Sequence, residues 1–195
     1  MSRPSSSVAA ILLTGGASRR MGRDKSQLIV DGSTLALRTA SLLQLVVKTA
    51  VEVGPGVSGL RATREEPQGQ GPLVAIAEGC RALRSLGHTG SALVVACDMP
   101  FLSEAFLRYL VEWPSSNSVV PVVQGRPQPL CAKWARGDLD AASQLVGQGV
   151  RSLKHLTTQT GVVLLDESAW RDVAAEEVFS DVDSPADLQR LGLTT

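Results

Sequence analysis

The chain predicts an α/β fold: a single domain built on a mostly parallel sheet with helices on both faces. Apolar runs of strand length alternate with helix-period segments along most of its length. Two of those runs, Val8–Leu13 and Ser91–Cys97, are apolar at nearly every position, as strands covered on both sides must be. The 195 residues suffice for one well-cored domain and are short for two. No internal repeat, low-complexity tract or shift in composition marks a boundary. Residues 1–7, with Pro4, Ser5, Ser6 and Ser7, read as a loose tail, and 8–195 as the domain.

Each element has a local reason. Val8–Leu13 is a strand that stops at Gly15-Gly16. A short apolar piece, Gln27–Val30, ends at Asp31-Gly32, a strong turn pair. Ser33 offers an N-cap for a helix bearing Leu35, Leu37, Leu42, Leu43, Leu45 and Val46. Thr49–Val53 is the second strand, broken by Gly54-Pro55-Gly56, and Arg61–Gln70 reads as a polar loop. Pro72 suits the first turn of a helix whose Ile76, Cys80 and Leu83 recur at helical spacing. Ser91–Cys97 is a central strand running into Asp98-Met99-Pro100, and Ser103 caps a helix with Leu107, Leu110 and Val111. Val119–Val123 is a strand, and a turn through Gln124–Leu130 leads to Cys131–Trp134. Helical segments over Asp138–Val146 and Ser152–Thr158, short strands over Val162–Leu165 and Val178–Val182, and a helix from Pro185 to Leu191 complete the order.

Composition excludes several classes of function. Lysine plus arginine equal aspartate plus glutamate at 19 each, so no global field draws the chain to nucleic acid or a membrane surface. The longest apolar run near the N-terminus has six residues and leads into glycines and arginines rather than a cleavage site; no stretch approaches the roughly 20 apolar residues of a membrane span. Three cysteines, Cys80, Cys97 and Cys131, are odd in number and lack C-x-x-C spacing, so no disulfide framework or zinc site is implied and a reducing cytoplasm fits best.

The stretch Leu13-Thr14-Gly15-Gly16-Ala17-Ser18-Arg19-Arg20-Met21-Gly22-Arg23-Asp24-Lys25 carries the chemistry. Glycines let backbone N–H groups approach phosphate oxygens, and the cations neutralise them. It is not a P-loop, because Arg23 and Asp24 separate Gly22 from Lys25, and it contains no G-x-G-x-x-G. Taken residue by residue, it could also be a basic turn facing water. Placed at the carboxyl end of a first strand, it lies where parallel sheets bind ligands.

Asp98, at the end of the central strand, shares that edge. A carboxylate there is suited to hold Mg²⁺ against triphosphate oxygens; a cap for the helix beginning near Ser103 would lie closer to it. In Asp181-Val182-Asp183-Ser184-Pro185, Asp183 is equally suited to cap the last helix or to join the metal site. Arg151, Lys154 and His155 form a basic segment that suits either an anionic substrate or an exposed helix face.

Taken together, these motifs resemble the nucleotidyltransferases that activate sugars, isoprenoid precursors and molybdopterin, and within them the molybdenum cofactor guanylyltransferases. The resemblance runs from Ala9 to Leu191. It rests on the glycine loop with Lys25, Gly71-Pro72-Leu73, Cys97-Asp98-Met99-Pro100-Phe101-Leu102, Gly125-Arg126-Pro127 with Pro129-Leu130, and Asp181 to Leu188. The chain departs from the pattern at Thr14, where alanine is common and backbone binding makes the change minor. It departs again at Glu52-Val53-Gly54, where an asparagine often stands, at Gln128, where histidine is common, and at Asp181 and Asp183, where asparagines are frequent.

The resemblance implies a Rossmann-like nucleotidyltransferase that moves GMP from Mg·GTP to molybdopterin or its molybdenum-loaded form, releasing pyrophosphate. It implies catalytic roles for Lys25, Arg20 and Asp98, and nucleotide binding by Leu13, Thr14, Gly15, Gly16, Lys25, Asp98 and an acidic residue before Gly71, Glu66 or its neighbour Glu65. It implies Mg²⁺ on Asp98 with Asp183, and transient contact with cofactor-delivery proteins. Two alternatives remain: a cytidylyltransferase of the same cofactor, and a non-catalytic module that binds nucleotide or pterin.

Overall fold

A computed structural model describes residues 7–15, 25–158, 161–182 and 185–193. In chain order the elements are β1 (Val8–Leu13), β2 (Ile29–Val30), β3 (Ser33–Thr34), α1 (Leu35–Val46), β4 (Ala50–Val53), β5 (Arg61–Thr63), α2 (Pro72–Ser85), β6 (Ser91–Ala96) and α3 (Glu104–Glu112). They continue with β7 (Val119–Val123), β8 (Arg126–Pro127), β9 (Cys131–Trp134), α4 (Arg136–Gly147), α5 (Lys154–Thr157), β10 (Val163–Leu165), α6 (Glu167–Trp170) and α7 (Pro185–Arg190). The main sheet runs β10-β7-β9-β6-β1-β4-β5, with β8 paired to β7.

The centre of the sheet is parallel. β1 pairs with β4 on one side and β6 on the other, with Leu13 opposite both Val53 and Ala96, so three strands end level along one edge. β5 pairs parallel to β4 and β10 parallel to β7, while β9 runs antiparallel to both β6 and β7. Side chains alternate between faces at every strand residue, and β1 shows it cleanly. Val8, Ala10 and Leu12 pack with Ala40, Leu43, Phe106 and Leu107 of α1 and α3, whereas Ala9, Ile11 and Leu13 pack with Leu73, Ile76, Leu139 and Ala142 of α2 and α4. Helices therefore cover both faces. At Gly79 an added β-carbon would strike Ile11 Cγ2, so the missing side chain sets how closely α2 lies on β1.

A third apolar cluster joins the chain's two ends. Leu28, Val30 and Leu35 pack against Val182 and Leu188, and the Val182 amide donates to the Asp98 carbonyl at 3.0 Å. Aromatic contacts seat the preceding segment: Phe179 stands edge-on to both Phe106 and Trp170.

Three local expectations are corrected. Thr34, not Ser33, caps α1, its Oγ1 accepting from the Leu37 amide at 3.2 Å. Ser33 instead sits in the β2–β3 hairpin, where Asp31 (φ 51°) and Gly32 (φ 77°) make the turn. Within Val178–Val182 there is no strand: Glu176–Phe179 forms a 3₁₀ turn, because Val178 and Phe179 bury against α3 and α6 side chains rather than against a sheet edge. Conversely, Arg61–Thr63, expected as loop, is the edge strand β5; an edge strand can be polar because one side of it faces solvent.

Candidate nucleotide-binding cleft

The level ends of β1, β4 and β6 open into a cleft of about 760 Å³. β1 supplies Leu13, Thr14 and Gly15; β4 supplies Val53, Gly54 and Pro55; β6 supplies Ala96, Cys97 and Asp98. Lys25 enters from the 3₁₀ turn Lys25–Gln27, held down by the buried Ser26. Gly71 and Pro72 present the N-terminus of the 14-residue α2 to the same space, where its unpaired N–H groups and dipole favour an anion or an electron-rich acceptor.

Lys25 and Asp98 face each other at one end of the cleft, Nζ to Oδ2 3.9 Å, with side chains 21% and 28% exposed. Asp98 is fixed through its main chain, since the Cys97 amide donates to Leu13 at 3.1 Å and the Val182 amide to Asp98. This brings the Asp181 segment beside Asp98, although the Asp181 side chain itself points to solvent. Among the described residues, no group of three or more His, Cys, Asp or Glu is arranged to hold a metal.

Against the Gly54-Pro55 wall of the cleft lie two charged residues absent from the sequence-based list, Glu52 and Arg64. Glu52, fully buried in β4, accepts from Thr14 Oγ1 at 2.5 Å, from the amides of Gly56, Val57 and Ser58 at 2.7, 3.1 and 2.9 Å, and from the Ser58 hydroxyl. Burial pushes the Glu52 carboxyl up, but these hydrogen bonds from Ser58, Thr14 and Val57 outweigh it and the net shift is downward. Arg64 grips the same loop from outside, donating to the carbonyls of Gly54 and Pro55 at 3.0 and 2.9 Å. A lone carboxylate within Ala50–Val53, followed by Gly54-Pro55-Gly56, was the signal available in the sequence.

Of the residues expected to bind nucleotide, Leu13, Thr14, Gly15, Lys25 and Asp98 come together in this cleft. Thr14 is corrected in one respect: its side chain is buried and bonded to Glu52, so it does more than an alanine could. Glu65 and Glu66 both line a shallow groove between α2 and α4, and Glu65 also lines the cleft, with Oε1 accepting from the Gly69 amide at 2.7 Å. Gly16, Arg20 and Asp183 lie outside the described residues. Arg151 donates to the carbonyls of Val146 and Val150, closing the end of α4, while Lys154 and His155 are exposed on α5. Cys80, Cys97 and Cys131 are all buried.

A cleft at the carboxyl edge of a parallel sheet, with Gly15, Lys25 and Asp98 converging on it, is that of a nucleotidyltransferase. The chain belongs to the MobA-like NTP transferase domain family, which it matches over residues 10–162. It is 32% identical to a Mycolicibacterium paratuberculosis protein named "Probable molybdenum cofactor guanylyltransferase", across 94% of each chain. A protein of the same name from Pelotomaculum thermopropionicum is 30% identical, over 91% of this chain and 88% of that one. Among solved structures, molybdopterin-guanine dinucleotide biosynthesis protein A from Archaeoglobus fulgidus superposes with a TM-score of 0.75 at 26% identity, over 93% of this chain and 95% of that one. No helix among the described residues is long and apolar enough to cross a membrane.

Proposed function

We propose that this nucleotidyltransferase moves GMP from GTP to molybdopterin or its molybdenum-loaded form, giving the guanine dinucleotide of the cofactor and pyrophosphate. The single observation that carries the reading is the Lys25–Asp98 pair at the joint edge of β1 and β6, in a chain similar end to end to guanylyltransferases.

In this reading the terminal phosphate of the pterin attacks the α-phosphorus of GTP. A P–O bond forms there as the bond to the β-phosphate oxygen breaks, and pyrophosphate leaves with its electron pair. The attacking phosphate is already ionised, so no general base is required, and positioning with charge neutralisation supplies the acceleration. Lys25 neutralises phosphate charge, assisted by Arg20. The main chain of Leu13, Thr14, Gly15 and Gly16 cradles the nucleotide, and Glu65 rather than Glu66 is the acidic contact.

One carboxylate together with phosphate oxygens is a donor set that suits Mg²⁺, so Asp98 fits that ion and Asp183 is a second candidate ligand. When bound, Mg²⁺ supplies further charge neutralisation on the triphosphate. Three cysteines without C-x-x-C spacing fit a reducing cytoplasm as the site of reaction, and the finished cofactor passes on through transient contact with delivery proteins.

Incubation with each of the four NTPs, Mg²⁺ and molybdopterin tests the reading. Pyrophosphate release with a guanine-containing product is expected. A cytosine product would make the protein a cytidylyltransferase, and binding without pyrophosphate release a non-catalytic module.

A further inference from the structure

We infer that Glu52 is a positioning residue for the nucleoside end of the cleft: it sets the Gly54–Ser58 loop against Thr14 and Gly15 before any nucleotide arrives. The inference rests on the assignment of the cleft to GTP given above.

The polar groups of this loop are taken up by two opposite charges. Glu52 collects the amides of Gly56, Val57 and Ser58 from the inside, and Arg64 holds the carbonyls of Gly54 and Pro55 from the outside. The loop is thereby fixed by its main chain. Glu52 also reaches across to β1 through Thr14 Oγ1, so one carboxylate ties together the two strand ends that wall the cleft. The approach of those ends is close. Gly54 has a φ of 155°, and a β-carbon on it would strike Thr14 Oγ1 and come within 2.8 Å of the Gly15 amide nitrogen. The Thr14 and Gly15 amides both donate to the Val53 carbonyl, at 3.1 and 3.3 Å.

A carboxylate buried at this depth is retained only with its lone pairs satisfied, and five donors satisfy it. None of the five comes from a cation, so the negative charge is balanced by the loop amides themselves and depends on their geometry. Shifting the loop would strip the carboxylate, and neutralising the carboxylate would release the loop. The phosphate-binding pair, Lys25 and Asp98, lies on β6's side of the cleft and shares none of these bonds. On this inference the β4 side takes the nucleoside, so that Glu52 governs the nucleoside contact and not the phosphate contact.

The test compares wild type with Glu52→Gln. Glutamine keeps the shape but turns an NH₂ group toward N–H donors, which leaves at least one amide of the loop unpaired. Affinities for GTP and for inorganic tripolyphosphate are measured by calorimetry, alongside kcat and KM. The expected result is a GTP Kd and KM raised about tenfold, with the tripolyphosphate Kd and the kcat at saturating GTP each within about twofold of wild type. A purely structural role would lower the active fraction and leave the Kd of the folded protein unchanged; an unaltered GTP Kd would overturn the inference alone. Wild-type protein that binds GTP no better than tripolyphosphate would overturn the inference together with the functional reading beneath it. Should Glu52→Gln fail to fold, Ser58→Ala, which removes one of the five bonds, carries the test. A GTP Kd raised about threefold is then expected, and an unchanged one overturns the inference.

Discussion

Lys25 Nζ stands 3.9 Å from Asp98 Oδ2, two opposite charges meeting where β1 and β6 end. The separation is long for a tight ion pair, and both side chains border the cleft, so from that side Lys25 can meet a phosphate oxygen and Asp98 a cation. Lys25→Ala is expected to lower turnover by tenfold to more than a hundredfold, the loss of about 1.5–3 kcal/mol for one charge-assisted contact. The thermal midpoint should stay close to wild type, because Lys25 is in a surface turn and not a core. Turnover near normal at saturating GTP would remove Lys25 from the mechanism.

Asp98→Asn keeps size and hydrogen bonding while removing the charge that a hard cation prefers. A large loss of activity is expected, partly restored by raising Mg²⁺, and chelation should abolish wild-type activity. The check is a Mg²⁺ titration of both proteins. A variant that turned over normally at low Mg²⁺ would shift metal binding to the Asp181–Asp183 segment.

Gly15 concerns base choice. A β-carbon there would rest 3.6 Å from Gly54 Cα and from the Val53 carbonyl oxygen, ordinary contact, so alanine fits the free protein. Any effect of Gly15→Ala must then come from the ligand's side. The variant is expected to weaken GTP use more than CTP use, since hydrogen-bonded recognition of a purine edge suffers most from a displaced backbone. The ratio of kcat/KM for the two nucleotides in both proteins decides it, and an unchanged ratio would sink the claim.

Acid should expose Glu52. Its folded-state carboxyl titrates below the ordinary 4.5, so it contributes stability that is fully present above that value and is lost as pH falls through the lowered one. Glu78, held low by Arg81 and by Thr63 against the opposing effect of burial, contributes with the same sign in wild type and variant alike. Urea unfolding between pH 3 and pH 6 should therefore show a shallower acid limb for Glu52→Gln than for wild type. Identical slopes would mean that the carboxylate titrates alike in folded and unfolded chains.

Most of the architecture was legible because burial imposes period. Val8–Leu13 and Ser91–Cys97 are apolar on both faces, α2 announces itself with Pro72, and α3 with Ser103. The meeting of Lys25 with Asp98 was legible too, since both sit in short, recognisable strings. The Thr14–Glu52 contact was not. Thr14 and Glu52 are separated by 38 positions, and nothing local to either announces the other. Arg64 gives its bonds to carbonyls, which carry no side-chain signature. The choice between Glu65 and Glu66 turns on where the chain bends before α2, a tertiary matter. The Val178–Val182 error has a similar origin: β-favouring residues were spent on an aromatic cluster in place of a sheet edge.

The bond from Val182 to Asp98 has a consequence for how the enzyme comes into being. A chain emerging from the ribosome delivers β1, β4 and β6 long before Val182 and Leu188, the residues that close the cluster with Leu28 and Val30. A nascent domain can thus own its central strands while the main chain at Asp98 still lacks this tether. The bond forms only once Val182 has been made, so the aspartate of the cleft is seated later than the strands that frame it.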